Sequence, residues 1–546
     1  MLIKHVIRIV DSNNPEGILS SPTPLELSAT RAGAPHRASL RSTIKCLSRL
    51  SFLPMMTERN LGDTLTPVME GYALIDLREP GEPSEYTYSE LNELASGTAC
   101  ALHDMGISRG EKVGILGENS VEFLGALLGI MRVGAVAVPV NHKFPDETLQ
   151  FVLRDADISI VFSDAKNLGR LATPYKVIGL DAVGFRGFLR QGVFQSIVPH
   201  KRETGLVLFT SGSTGRPKGV ALSHASQRSM VNNASSRLLG VKSTVAAPLY
   251  HMNALLMSFM LLDGGGTIVL MPRFSARDYL NAIHRYRVDL VSGVPTMLTL
   301  MAKEIDLVES LDLGCVVGVV IGSAPLSETV FAQTEKMFPN ARISNGYGTT
   351  EAGAGIFGQH PGGVEQPMMA LGYPTSHVEV RLVGGSSADQ GILQVKTPAA
   401  MNGYLNAPEK TAAKFSADGW IDTGDVMRRD DQGFYYFIGR DDDMFVCGGE
   451  NVYPGEVERV ISKDGRIAEA CVIPVNDSVR GQMPVAFVTL SGDVECSEQD
   501  VKQMALDNAP PYMHPRRVWF LDEMPLAGTN KIDRAKLTRL ALNYLH

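Results

Sequence analysis

From Lys112 onward, short β-branched apolar runs alternate with helical periodicities, and that alternation constrains the fold more than any other feature of the chain. Lys112–Leu116, Ala135–Val140 and Ile158–Ser163 read as strands, and Val121–Val133 and Glu147–Asp155 as the helices between them. Tyr88–Met105 precedes them as an amphipathic helix, with Leu91, Leu94, Ala95, Ala101 and Leu102 at helical spacing. Parallel strands need a crossover of about a dozen residues, usually a helix, so the pattern predicts βαβ units and a largely parallel sheet. It recurs at Leu206–Phe209, Thr267–Leu270, Val316–Ile321 and Ile343–Ser344. Val378–Leu382 and Gly391–Val395 are strands with no helix between them, which predicts a smaller, more antiparallel unit near residues 370–438. Beyond Arg440 the signals turn α+β: Gly455–Ser462 and Gln499–Asn508 as helices, Ala468–Pro474 and Val485–Leu490 as strands. The expected fold class is α/β, with a large N-terminal domain of parallel sheets and flanking helices, a β-rich subdomain, and a small α+β C-terminal domain.

A chain of 546 residues with 44% hydrophobic residues has ample material for a buried core. Its net charge of −8 argues against nucleic acid as the main partner. Cysteines at 46, 100, 315, 447, 471 and 496 form no CxxC pair, which argues against a zinc ribbon or a disulfide framework and fits reduced thiols in the cytoplasm. The longest apolar stretch, Val121–Val140, is broken by Glu122, Arg132, glycines and a proline, so no segment reads as a membrane span. Residues 1–55 stand apart, with seven Lys/Arg, three Asp/Glu, eight Ser and no sustained periodicity. Such a start has the look of an organelle transit peptide, weakened by Asp11, Glu16 and Glu26; the favoured expectation is a non-core extension ahead of a start at Met55 or Met56.

The strongest local signal is Thr210-Ser211-Gly212-Ser213-Thr214-Gly215-Arg216-Pro217-Lys218-Gly219, directly after an apolar strand. Glycines let backbone N–H groups approach phosphate oxygens, hydroxyls donate further bonds, and the Lys218 ammonium supplies charge. The run is not a Walker A loop, which needs Gly-Lys followed by Ser or Thr; here Pro217 precedes Lys218 and Gly219 follows it.

This loop resembles the signature of the adenylate-forming superfamily, which includes acyl-CoA synthetases, peptide-synthetase adenylation domains and luciferases. Further segments in the same order carry the resemblance: Tyr347-Gly348-Thr349-Thr350-Glu351, Gly419 to Asp425, Gly433 to Arg440, Gly448-Gly449-Glu450-Asn451-Val452-Tyr453-Pro454, and Pro525 to Lys531. Such enzymes join a carboxylate to ATP as an acyl-adenylate, then pass the acyl group to a thiol. The resemblance implies Thr210, Ser211, Gly212, Ser213, Thr214, Gly215 and Lys218 at the phosphates, Thr350 at the α-phosphate, and Glu351 as the ligand of Mg²⁺. It implies Gly322, Ser323, Ala324, Asn345, Gly346 and Tyr347 around the adenine. Asp422 and Asp425 are equal candidates for the ribose on their own merits; the family pattern favours Asp425, with Arg440 beside it. Lys531 is implied as the catalytic lysine between carboxylate and α-phosphate.

The resemblance also implies two conformations. Residues 56–440 would form the adenylation core and 441–546 a mobile lid that pivots at Asp442, in a run of three acids suited to a solvated hinge. Rotation would withdraw Lys531 and bring in Gly448 and Gly449 as a path for the thiol arm. His251 lines the acyl pocket or gates the thiol tunnel on this reading, and Tyr250, Met252, Asn253, Gly293, Val294, Pro295 and Gly353 shape the pocket. The motifs are most similar to halobenzoate-type aryl-CoA ligases, with medium-chain acyl-CoA ligases close behind. ATP, CoA and a small carboxylic acid are thus the expected substrates and Mg²⁺ the expected cofactor. The expected assembly is a monomer or homodimer. Arg480, Arg516 and Arg517 are candidates for the CoA phosphates. The alternatives are loading of a carrier-protein phosphopantetheine and a non-catalytic nucleotide-binding protein.

Overall fold

The computed structural model describes residues 59–65, 71–79, 81–171, 174–210, 216–492, 494–527 and 531–545. The N-terminal extension, Ser211–Gly215 and Gly528–Asn530 therefore lie outside the described residues. Two seven-stranded sheets form the body. The first runs, in spatial order, Arg342–Gly346, Gly318–Gly322, Leu290–Gly293, Lys242–Val245, Thr267–Leu270, Tyr72–Asp76 and Ser84–Thr87. Every pair is parallel except the last, a hairpin at the edge. The second runs Gly403–Tyr404, Lys218–Ser223, Thr204–Thr210, Val136–Val140, Lys112–Leu116, Ile160–Ser163 and Lys176–Gly179, parallel from Thr204–Thr210 onward and antiparallel before it.

A layer of helices joins the two sheets. Tyr88–Asp104 opens with a capping box, the Thr87 hydroxyl accepting from the Glu90 N–H while the Glu90 carboxylate accepts from the Thr87 N–H. Val121–Arg132 is buried along its entire length, and one continuous core takes in this helix, Tyr88–Asp104, Met252–Gly264 and strands of both sheets. A helix apolar on all sides needs a cover on all sides. The two charges in it are paired or hydrogen-bonded in place. Glu122 pairs with Arg78 at 2.8 Å, and Arg132 donates to the Gly62 carbonyl, the Ser96 hydroxyl and the Asn92 side chain.

Two short two-stranded ribbons and two larger sheets follow among the described residues. Glu379–Ser387, Gln390–Lys396, Ile421–Arg429 and Tyr435–Arg440 form an antiparallel sheet. Glu450–Val452, Phe445–Cys447, Gly481–Leu490 and Ile467–Asp477 are antiparallel, with Val518–Phe520 added in parallel on Gly481–Leu490. Helices Pro454–Ile461, Glu498–Asn508 and Arg534–Leu545 accompany the last sheet. It touches the body where the Thr296 hydroxyl donates to Glu469 (2.9 Å) and the Thr329 hydroxyl to the Ser462 carbonyl (3.3 Å). No helix among the described residues is long and apolar enough to cross a membrane.

Helices Tyr88–Asp104 and Val121–Arg132 approach closely because Gly125 and Gly129 lie one turn apart. A Cβ on Gly129 would stand 2.5 Å from Thr98 Cβ and 2.6 Å from the Ala95 carbonyl. Glycine to alanine inside a helix normally stabilises by about 0.5–1 kcal/mol. Here the overlap reverses the sign, and we expect Gly129→Ala to cost about 1–3 kcal/mol. Gly187, in helix Ala182–Phe188, has open space where a Cβ would stand, with no atom within 4 Å, so Gly187→Ala should be neutral or stabilising. Denaturant melts of both variants check this; a Gly129→Ala protein as stable as the parent would refute the packing argument.

Candidate active site

In a parallel sheet the crevice for a ligand opens at the carboxyl ends of the strands. Gly322 and Gly346 end neighbouring strands and face each other in register. A Cβ on Gly322 would lie 3.0 Å from the Gly346 carbonyl oxygen, so these strands close over a floor without side chains. Ser323 then takes φ +67°, an uncommon conformation for a residue other than glycine, and Ala324 follows it, partly buried. Asn345 donates to the Met369 carbonyl at 3.3 Å. After Tyr347, the short strands Gly348–Thr349 and Gly353–Ala354 pair antiparallel and carry Thr350 and Glu351 between them. Gly353 is obligatory: its φ is +80° and a Cβ would lie 2.5 Å from Ala399 Cβ.

Beside this floor, the Tyr347 hydroxyl donates to Asp425 Oδ2 (2.5 Å) and Arg440 Nη1 donates to Asp425 Oδ1 (3.0 Å). Asp425 and Arg440 face each other across adjacent strands. Desolvation raises the Asp425 pKa, against the opposing pull of Tyr347 and Arg440. Burial likewise raises the Tyr347 hydroxyl, reinforced by the Asp425 charge, so that it stays a proton donor. Asp422, the other sequence candidate, is spent locally by accepting the Gly424 N–H at 2.8 Å. Arg440 also grips Asp442 with two bonds, Nε to Oδ1 (2.9 Å) and Nη2 to Oδ2 (3.2 Å). Although Arg440 is partly desolvated, these two acids raise its pKa. Asp442 is exposed to water, as expected of a solvated turn, and it is also paired, because its side chain reaches back to the guanidinium two residues earlier.

At the other end of the crevice, Thr210 ends the strand before the glycine-rich run. Ser211, Gly212, Ser213, Thr214 and Gly215 lie outside the described residues. Lys218 opens a strand that returns antiparallel to Thr204–Thr210, so the run joins two strands instead of opening a helix. The Lys218 ammonium stands over the Tyr404 ring, 5.5 Å from its centroid. The Tyr404 hydroxyl donates to Glu351 Oε1 at 2.9 Å. Sequence reasoning missed Tyr404, since nothing in Gly403-Tyr404-Leu405 signals that this segment pairs with residues 220 and 221.

Lys531 is reached by solvent yet stands in a cleft crowded with protein atoms. That desolvation lowers its pKa, while the Asp425 charge pulls the other way. Its charge also reaches His251. Tyr250, His251, Met252 and Asn253 follow the strand Lys242–Val245, and Gly293 and Val294 end the neighbouring Leu290–Gly293. Ser292 Oγ and Asn253 Oδ1 lie 3.5 Å apart, which joins these two segments. His142, Tyr250 and His251 form an edge-on aromatic row with centroids 5.3 and 4.5 Å apart. Burial, with added repulsion from Lys531, Lys143 and His142, drops the His251 pKa to about 3, and its Nε2 is buried without a partner.

Gly448 and Gly449 are not brought to this cluster. They form the exposed tip of the hairpin between Phe445–Cys447 and Glu450–Val452, with φ of +63° and +92° and open space around both. The turn alone accounts for two glycines there. The Gly448 N–H donates to the Arg480 carbonyl at 3.0 Å, and Arg516 packs nearby with its Nη1 3.0 Å from His514 Nε2. Desolvation lowers the Arg516 pKa and repulsion from Arg480 adds to it.

Two family models match the chain in order, the AMP-binding enzyme over residues 67–405 and the AMP-binding enzyme C-terminal domain over residues 456–531. The chain belongs to the AMP-binding enzymes. It is similar to 4-coumarate–CoA ligase 3 of Arabidopsis thaliana, 29% identical over 83% of this chain and 86% of that protein. Feruloyl-CoA synthase of Amycolatopsis sp is 30% identical over 83% of this chain and 93% of that protein. Among solved structures, ATP-bound MatB from Rhodopseudomonas palustris matches with a TM-score of 0.78 at 25% identity, covering 88% and 99% of the two chains. Both sheets of this AMP-binding enzyme contribute to the crevice: Tyr347 follows the last strand of the first and leads into the two-stranded ribbon that carries Glu351, and Lys218 and Tyr404 belong to the second.

A histidine with a folded pKa near 3 is neutral throughout the working range. We therefore expect His251→Asn to change the amplitude of adenylate formation while leaving the shape of its pH profile between about pH 5.5 and 8.5 intact. Pyrophosphate exchange measures this. Loss of a limb near pH 6–7 in the variant would show that His251 titrates.

Proposed function

We propose that this AMP-binding enzyme is an ATP-dependent, AMP-forming carboxylate–CoA ligase. The observation that carries the reading is the gathering of Lys531, Asp425–Arg440 and the Lys218–Tyr404–Glu351 group around one crevice, from segments far apart in sequence. In the first half-reaction a carboxylate oxygen forms a bond to the α-phosphorus of ATP, and the bond to the β-phosphate breaks as pyrophosphate leaves with its electron pair. In the second, a thiol sulfur bonds to the acyl carbon, AMP leaves, and the thiol proton is released.

Each residue has a part in overcoming the repulsion between two anions. Asp425 accepts from the ribose hydroxyls in place of Tyr347, and Arg440 favours the ionised form of that carboxylate. Tyr347 offers a flat face to the adenine, beside the Gly322–Ala324 and Asn345–Gly346 floor. Lys218 and the hydroxyls of the loop hold the phosphates, and Thr350 donates to the α-phosphate. Lys531, a point charge in a partly desolvated cleft, sits where the carboxylate and α-phosphate meet. A cluster of three or more His, Cys, Asp or Glu side chains suited to a metal is absent among the described residues. That fits Mg²⁺, which commonly takes one or two carboxylates plus substrate phosphates; Glu351 would hold it, and it would offset charge on the departing pyrophosphate.

The acid class we infer is aromatic or short- to medium-chain. On this reading Tyr250, Met252, Asn253, Gly293, Val294 and Gly353 would offer an adaptable, mostly apolar wall with one amide, and coumarate and ferulate appear in the names of two relatives. CoA is favoured over a carrier protein by Arg480 and Arg516, which put positive charge beside the Gly448–Gly449 hairpin, where the nucleotide phosphates of CoA would lie. Retention of Lys218, Glu351 and Lys531 speaks against a non-catalytic homologue. The free thiols among the described residues suit a reducing, cytoplasmic setting.

A panel of carboxylic acids with ATP and CoA, read by pyrophosphate release and thioester mass, tests the reading; no thioester with any acid would refute it. On the same reading residues 441–546 pivot at Asp442 between half-reactions. Lys531→Ala should lower adenylate formation by at least about 10²–10³-fold and spare thioester formation from supplied acyl-adenylate. Asp442→Pro should do the reverse, because proline fixes the pivot's φ. Equal loss of both half-reactions in either variant would overturn the two-conformation scheme.

A further inference from the structure

Tyr404 touches both charged groups at the phosphate end of the crevice. Its hydroxyl donates to Glu351 Oε1 at 2.9 Å, and its ring faces the Lys218 ammonium at 5.5 Å, within the usual reach of a cation–π contact. The backbone leaves the side chain little freedom. Tyr404 pairs with Val220 two residues beyond Lys218, its N–H donates to Thr411 Oγ1 (2.8 Å), and the Leu405 N–H donates to the Gly219 carbonyl (2.7 Å). On the other side the Met401 N–H donates to the Glu351 carbonyl (2.8 Å). The segment 401–405 is thus a strap sewn to the strand of Lys218 and to the turn of Glu351. Two glycines permit the approach. A Cβ on Gly219 would stand 3.2 Å from Leu405 Cβ and 3.0 Å from Phe209 Cζ, and one on Gly403 would stand 2.7 Å from Thr411 Cγ2.

We propose that Tyr404 is a positioning residue for adenylation: its hydroxyl aims the Glu351 carboxylate, and its ring holds the Lys218 ammonium at a fixed separation from that carboxylate. The proposal rests on Glu351 as the Mg²⁺ ligand. A free glutamate side chain rotates about three bonds, and a donor on Oε1 removes most of that freedom while leaving Oε2 open. Carboxylates that ligate metals are commonly held by such a bond, whose loss costs about 10–100-fold in metal affinity. The ring acts on Lys218 separately, which lets the two functions be divided by mutation.

The test uses the full-length protein with a non-hydrolysable α,β-methylene analogue of ATP and Mn²⁺ in place of Mg²⁺. Mn²⁺ taken up by the protein is read from the free-ion electron paramagnetic resonance signal against a protein-free sample with the same analogue concentration, since the triphosphate itself binds Mn²⁺, and analogue binding without metal by calorimetry in EDTA. Tyr404→Phe, which keeps the ring, should weaken Mn²⁺ binding by about 10–100-fold and leave metal-free analogue binding unchanged. Tyr404→Leu should weaken both. In Glu351→Gln/Tyr404→Phe the metal losses should not add, since both act through one carboxylate. If Glu351→Gln loses Mn²⁺ affinity while Tyr404→Phe keeps it, or if the two losses add in full, Tyr404 does not position Glu351. If Glu351→Gln itself binds Mn²⁺ like the parent, the assignment of Glu351 as ligand falls instead.

Discussion

The helix Val121–Arg132 has no wet face, and the rest of the architecture follows from that. A single sheet covers one side of a helix only. Burying this one completely takes a second sheet and neighbouring helices, which is why one core runs through strands of both seven-stranded sheets. The glycines at 125 and 129 let Tyr88–Asp104 lie against it at backbone distance. The charges at its two ends survive burial because each has partners, Glu122 with Arg78 and Arg132 with Gly62, Asn92 and Ser96.

Holding two sheets on one helical layer is also what lets a crevice draw on both. Tyr347 comes off the first sheet and Glu351 off the two-stranded ribbon that continues from it, Lys218 and Tyr404 off the second, and Asp425 and Arg440 off the antiparallel sheet that follows. The cations in the crevice stand close to acids of the same chain: Arg440 against Asp425 and Asp442, Lys531 within reach of Asp425, Lys218 joined through Tyr404 to Glu351. The net charge of −8 therefore says little about affinity for anions, because the local pairs decide the potential where a phosphate would lie.

Regular elements were legible where they were apolar and periodic. Thr267–Leu270 and Lys112–Leu116 are strands over the expected residues, and Tyr88–Asp104 is the expected helix within one residue. Lys242–Val245, Ser84–Thr87 and Lys176–Gly179 carried no comparable signal, since these four-residue segments mix polar with apolar residues and become strands only by pairing. The glycine-rich run was legible from its composition. That it joins two antiparallel strands was not, since the register of Lys218–Ser223 is set by Thr204–Thr210 and by Gly403–Tyr404.

By itself the sequence determined the α/β class, the family and the residue types a nucleotide crevice requires, because those rest on local periodicity and on short motifs in a fixed order. Tertiary structure decided which of those residues share a site. It set Asp425 against Tyr347 and Arg440 and Asp422 against its own turn. It paired Asp442 with Arg440, placed Gly448 and Gly449 on an exposed hairpin, and brought Tyr404 between Lys218 and Glu351. Each of these depends on strand register and on contacts between segments tens to hundreds of residues apart, and such contacts leave no trace in local spacing.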